Sequence, residues 1–132
     1  MPFVQIHLDR GVDAATRQAI SLSIHESLME FFHVPADDYF QVVHETAPAD
    51  LLYPPSYLGV PHSGRIVYIH ITAKGGRTVE MKKALYRSIA EKVAARTAIP
   101  ADDVVIVLTE NGSEDWSFGQ GVAQMVEGVG KQ

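Results

Sequence analysis

The chain has 132 residues, with 11 lysines and arginines against 16 aspartates and glutamates, a formal charge of −5, 46% hydrophobic residues and no cysteine. A single domain of this size buries roughly 68% of its unfolded surface and needs no staples, and without cysteine there is no disulfide, thiolate ligand or cysteine nucleophile. Eleven dispersed cations argue against a nucleic-acid partner, and no apolar run nears the roughly 20 residues that span a bilayer, so neither a membrane partner nor a leader is expected and the location is read as cytoplasmic.

Val4, Ile6 and Leu8 alternate with Gln5 and His7, the period of a half-buried strand. Asp13 then offers a helix N-cap, and Ile20, Ile24, Leu28 and Phe31 or Phe32 recur at helical spacing until Pro35 stops the run. Ala36-Asp37-Asp38 leads into a second strand from Tyr39 to Val43. Thr46 to Gly64 carries Pro48, Pro54, Pro55 and Pro61, a long irregular connection of the kind that tends to be functional. Arg65 to Thr72 is again a strand, Thr78 caps a helix bearing Met81, Leu85, Ile89 and Val93, and Pro100 ends it before a last strand from Val104 to Leu108. The tail from Asn111 to Gln132 holds five glycines and the single tryptophan, and a short hairpin is expected there.

The chain repeats itself once. Val34 to Glu45 lies over Ile99 to Glu110 at a shift of 65, with Pro-Ala-Asp-Asp identical, and Val4 to Leu8 lies over Val67 to Ile71 at a shift of 63. Two matches in order with nearly equal shifts indicate duplication, and the two-residue difference falls in the loop around Lys74 to Arg77, where a length change costs least. Each half reads as strand, helix, strand, with its two strands parallel and joined by a right-handed crossover. The expected architecture is a single α/β (α+β) domain over 1–132, with β-α-β halves at about 2–46 and 65–110 and a tail at 111–132. Its four-stranded sheet carries both helices on one face. The other face would expose Tyr68 and the apolar positions of Tyr39 to Val43 and Val104 to Leu108, a pattern typical of an oligomer interface.

Pro2 is the first candidate for chemistry. Once an initiator methionine is removed, a following proline presents a secondary amine, and α-amino groups titrate at about 7.7 to 8.0, close enough to neutrality for general-base work. While Met1 remains, that nitrogen is an amide without basicity; a proline here also serves simply to open an edge strand. Asp37 and Asp38 recur as Asp102 and Asp103, so an aspartate at this turn has a structural use as well as a chemical one. Trp116 is the single tryptophan, and by itself, with Phe118 beside it, it reads as core. His7 and His70 occupy equivalent repeat positions but lack a second ligand at metal-binding spacing, so no metal is expected. The glycines at 75, 76, 119 and 121 form no dinucleotide or phosphate-loop signature, so no nucleotide cofactor is expected.

An amino-terminal proline opening a β-α-β unit, a duplication near 65 residues, and the segments Val34-Pro35 to Asp38, Phe40 to His44 and Glu110-Asn111-Gly112 through Asp115-Trp116-Ser117-Phe118-Gly119 resemble the tautomerase superfamily. Within it, the malonate semialdehyde decarboxylase family is the nearest match. The resemblance implies a cofactor-free homotrimer in which the proline nitrogen acts as acid or base on a small 3-oxo or enol carboxylic acid. It carries the catalytic proline onto Pro2, the assisting aspartate onto Asp38, the apolar wall onto Trp116 and Phe118, and a supporting role onto His44. The family's arginine pair maps less directly. The segment reads Ala73-Lys74-Gly75-Gly76-Arg77, so Lys74 matches the first cation and Arg77 supplies the second only if the loop folds back. Lysine is a point charge where arginine is a planar fork, so a carboxylate is held more loosely, which harms decarboxylation more than enol–keto tautomerisation. Hydration or dehalogenation of an unsaturated small acid and non-catalytic binding by the same fold are the competing expectations.

Overall fold

The computed structural model describes residues 1–127. In chain order it contains β1 (Pro2–Asp9), α1 (Ala14–Phe32), β2 (Phe40–Thr46), β3 (Ser56–Tyr57), β4 (Val60–Pro61), β5 (Val67–Lys74), α2 (Val79–Arg96), β6 (Val104–Asn111) and α3 (Gln124–Glu127). The main sheet has the order β2-β1-β5-β6. β1 and β2 pair in parallel, as do β5 and β6, while β1 and β5 pair antiparallel through the middle. Each duplicated half is thus one parallel pair, and the two halves meet along β1 and β5.

The helices begin where their caps dictate. Asp13 accepts the Thr16 amide at 2.8 Å and Thr78 accepts the Met81 amide at 3.1 Å, satisfying an otherwise unpaired first-turn donor in each case. Burial repeats at the shift of the duplication: Ile20, Ile24 and Leu28 of α1 correspond to Leu85, Ile89 and Val93 of α2, and all six are fully buried. They pack on Val4, Ile6 and Leu8 of β1 and Ile69, Ile71 and Ala73 of β5, the alternate residues that a period of two directs to one face. Where the helices meet, Ser27 and Ser88 share a buried hydrogen bond of 2.8 Å, which lets the backbones approach without orphaning a hydroxyl.

Three expectations are corrected. Val104, Ile106 and Leu108 pack against the core, so only the alternate residues of β6, such as Val107, lie on the open face. That face is mixed: Phe40, Val42 and Val107 stand exposed beside Gln5, His7, His44 and His70. β1 is an inner strand, so Pro2 does not open an edge; as first residue of its strand it still sacrifices no ladder donor. In the tail, residues 113–115 form a 3-10 turn and Gln124–Glu127 a single helical turn in place of a hairpin. Gly119, Gln120 and Gly121 are consecutive at φ 124°, 61° and 67°, a left-handed run incompatible with a strand. Residues 128–132 of the expected tail lie outside those described.

The connection from 47 to 64 forms the small β3–β4 hairpin and is fastened by Asp103. This carboxylate is fully buried and accepts the Ser63 amide at 2.9 Å, the Ser63 hydroxyl at 2.6 Å and the Arg65 amide at 2.9 Å. Burial pushes its pKa up, but the three hydrogen bonds outweigh that and hold it below the ordinary value of 3.8. A depressed carboxyl stabilises the fold fully above its unfolded value, and the contribution is lost as pH falls through the lower folded value. Asp103→Asn is therefore expected to cost about 2 kcal/mol near neutral pH. Thermal melts of the two proteins at one protein concentration should differ by several degrees at pH 7 and converge as pH falls below 3.8.

Candidate active site

Antiparallel pairing sets Pro2 directly opposite Ala73, so the start of β1 meets the end of β5. Parallel pairing brings the start of β2, Phe40, beside Phe3, and the end of β6, Asn111, beside Lys74. One end of the sheet thereby gathers Pro2, the Asp38 turn, the Lys74 to Arg77 loop and the segment carrying Trp116 and Phe118. These are six of the seven residues nominated from sequence.

Asp38 is held in a turn closed by its own amide on the Pro35 carbonyl at 3.1 Å. Its Oδ2 lies 2.9 Å from the Met1 amino group, while its Oδ1 is buried without a hydrogen-bond partner among the described residues. Asp37 is exposed, so the paired aspartates are not equivalent. Pro2 is buried. Only three covalent bonds separate the Met1 and Pro2 nitrogens, which confines the Pro2 nitrogen to within roughly 7 Å of the carboxylate. The duplication sharpens this. Pro2 corresponds to Arg65 and Asp38 to Asp103, and the Arg65 backbone nitrogen donates to Asp103 Oδ2 at 2.9 Å. In the second half, the atom matching the Pro2 nitrogen is thus in direct hydrogen-bond contact with the matching carboxylate.

The cationic loop does fold back. Gly75 donates to the Asn111 carbonyl at 2.9 Å, Gly76 turns the chain at φ 115°, and Arg77 Nη1 donates to the Lys74 carbonyl at 2.6 Å. The Arg77 guanidinium also covers the Phe32 ring at 4.8 Å and donates through Nη2 to the Phe32 carbonyl at 3.2 Å, closing the C-terminus of α1. Lys82 is held by Glu110 at 2.7 Å, and that pairing outweighs desolvation and keeps the Glu110 carboxyl below its ordinary pKa. Among the described residues, neither Lys74 nor Arg77 is in a salt bridge.

Trp116 Nε1 donates to Asn111 Oδ1 at 2.8 Å, which ties the indole to the end of β6. Its ring stacks on Phe118 at 5.6 Å, and Phe118 leans on Phe40 at 5.5 Å, forming one aromatic wall. Gln124 secures the segment by accepting the Phe118 amide at 2.9 Å and donating to the Gly119 carbonyl at 3.1 Å. Phe40 and Asn111 were not nominated as site residues; both lie inside the segments that carry the family resemblance, but only register and ring contacts give them a place. Two cavities, of about 390 and 490 Å³, lie elsewhere and include none of the nominated residues.

His44 is not gathered with the others. It lies on the open sheet face, its ring stacked on His7 at 4.5 Å and 7°. His7 is held below its ordinary pKa of 6.5 by burial, then by the neighbouring His44 and His70. His70 contacts the Thr109 hydroxyl at 2.8 Å. Among the described residues, no cluster of histidine and carboxylate side chains forms a metal site, and no helix is long and apolar enough to cross a membrane.

Comparison with known proteins shows the family. A family model described as "Tautomerase enzyme" matches residues 38–119. A probable tautomerase of Bacillus subtilis (strain 168), YusQ, is 48% identical over 127 residues, covering 96% of this chain and all of that one. A second probable tautomerase of the same organism, YrdN, is 31% identical, covering 97% of this chain and 98% of its own. Among solved structures, FG41 malonate semialdehyde decarboxylase inhibited by 3-bromopropiolate superposes with a TM-score of 0.90 at 35% identity, covering 96% of each chain. The chain belongs to the tautomerase family.

Two expectations follow from the geometry. Arg77→Ala removes a cation and a loop fastener together, whereas Lys74→Ala removes only an exposed cation. Lys74→Ala should leave the melting temperature within about 1 °C, whereas Arg77→Ala should lower it by several degrees, as read in thermal melts. The lowered His7 pKa means the unfolded chain binds the extra proton first, so stability should fall as pH drops below 6.5. Melts from pH 7.5 to 5.5 should show that decline, and His7→Gln should flatten it.

Proposed function

We propose that the protein is an N-terminal-proline tautomerase that moves a proton between oxygen and carbon of a small enol or 3-oxo carboxylic acid. The observation that carries this reading is the half-buried Asp38 carboxylate, with Oδ1 buried and unpartnered among the described residues and Oδ2 2.9 Å from the chain's amino group. An orphaned buried oxygen costs about 1–3 kcal/mol, a penalty that folds tolerate chiefly where function needs it. With Met1 removed, the Pro2 amine takes the place that Arg65 N occupies beside Asp103. The amine accepts the enol hydroxyl proton and delivers a proton to the α-carbon, as the C=C pair becomes the C–H bond and the O–H pair the C=O bond. Lys74 and Arg77 hold the substrate carboxylate, and the wall of Phe40, Phe118 and Trp116 excludes water.

Decarboxylation by the same residues is the second reading, favoured by the likeness to FG41 malonate semialdehyde decarboxylase and to a second malonate semialdehyde decarboxylase at 28% identity and a TM-score of 0.88. That second protein has both decarboxylase and hydratase activities. Lysine in place of a carboxylate-gripping arginine supports the tautomerase reading over the decarboxylase one. We further infer a homotrimer packed through the open sheet face, where Phe40, Val42 and Val107 are exposed. A fused 4-OT trimer at 23% identity and a TM-score of 0.77 shares the fold.

Intact mass of the purified protein should lack Met1, and a panel of phenylenolpyruvate, malonate semialdehyde and a 3-haloacrylate should show turnover of the first above the others. Pro2→Ala should lower kcat/KM by on the order of 10² to 10⁴. Full activity in that variant sinks the mechanism, and malonate semialdehyde as the preferred substrate replaces tautomerisation with decarboxylation.

A further inference from the structure

Resting on that reading of the site, we propose that His25 is a positioning residue, which grips the Asp38 turn from behind and fixes the direction of its carboxylate. His25 lies in α1 and is only 8% exposed. Its Nε2 donates to the Ala36 carbonyl at 2.9 Å, two residues before Asp38, and its ring meets that of Tyr39, one residue after, edge-on at 4.6 Å and 72°. One helical turn earlier, Ser21 bonds the Tyr39 hydroxyl and donates to Gln41 Oε1 at 2.6 Å, while Gln41 Nε2 donates to the Ser21 carbonyl at 3.3 Å. Ser21 and His25, four residues apart on one face of α1, therefore hold the chain on both sides of Asp38.

The duplication shows that the turn itself does not need this grip. The second Pro-Ala-Asp-Asp closes with the same bond, Asp103 amide to Pro100 carbonyl at 3.0 Å against 3.1 Å for Asp38 to Pro35. At the shift of 65 that aligns both helices, His25 corresponds to Ala90, Ser21 to Tyr86, Tyr39 to Val104 and Gln41 to Ile106, and none of the four polar holds recurs. Asp103 is instead fixed directly, by three hydrogen bonds to its carboxylate. Asp38 cannot be fixed that way and still offer a free oxygen to a reacting molecule. Its orientation has to come from the backbone beneath it, and His25 and its neighbours occur only in the half where that need exists.

The test compares His25→Phe, which keeps a ring against Tyr39 but loses the donor, with His25→Gln, which keeps an N–H within reach of Ala36. Each is made alone and with Asp38→Asn, and assayed on whichever substrate of the panel is turned over, with a melt of every variant. His25→Phe should lower kcat by about tenfold or more with KM changed less than about twofold, because a small misdirection of a reacting group is costly. His25→Gln should recover most of the loss, and His25→Phe should add little once Asp38→Asn has removed the group it directs. A wild-type kcat in His25→Phe, or a loss that multiplies in full with that of Asp38→Asn, overturns the proposal while leaving the site reading intact. Absence of turnover across the panel, or full activity in Asp38→Asn, overturns the site reading and His25's role with it.

Discussion

Because β1 and β5 run antiparallel through the middle of the sheet, the first residue of one lies beside the last residues of the other, with Pro2 opposite Ala73. Every other approach at this end depends on that pairing. β2 follows β1 in parallel and brings the Asp38 turn alongside; β6 follows β5 and brings Asn111, which anchors Trp116. A one-residue slip between β1 and β5 would turn Val4, Ile6 and Leu8 out of the core, so the packing of both helices fixes the register. Core burial and the convergence of the site are two results of one pairing.

The two copies of Pro-Ala-Asp-Asp show how one local sequence serves two ends. In each copy the second aspartate turns inward and the first outward. Asp103 meets a hydroxyl and two amides and has both oxygens engaged; Asp38 meets one amine and, among the described residues, keeps an oxygen unpaired. The difference arises from what precedes the first strand of each half: a folded connection with Ser63 and Gly64 before β5, a chain end before β1. A carboxylate with both oxygens engaged locks a fold, and one with an orphan oxygen is free to engage something else.

Much of this was legible in the residues. Alternation in β1 and β5, the caps at Asp13 and Thr78, and the prolines that stop the helices are local signals, and the fold obeys them. The internal repeat supplied the pairing of halves that local signals lack. What did not follow from the chain order was which alternate residues of β6 face the helices, since a run of Val, Val, Ile, Val, Leu has no polar residue to mark a side. Nor did the roles of Phe40 and His25 follow, because ring contacts across β2, α1 and the tail join residues that no spacing rule connects. His44 had a motif to recommend it, but parallel register carries it along the open face to His7.

Fusing two similar units into one chain also settles a question of stoichiometry. The position that corresponds to Pro2 in the second unit is Arg65, whose nitrogen is a peptide amide in the interior of the chain. Removal of an initiator methionine cannot turn that nitrogen into an amine. A mechanism built on a free chain end allows such a fused protein one reactive centre for every two folding units, however symmetrical the sheet. The second unit has no part in a mechanism of that kind, and its aspartate holds the long connection between the halves.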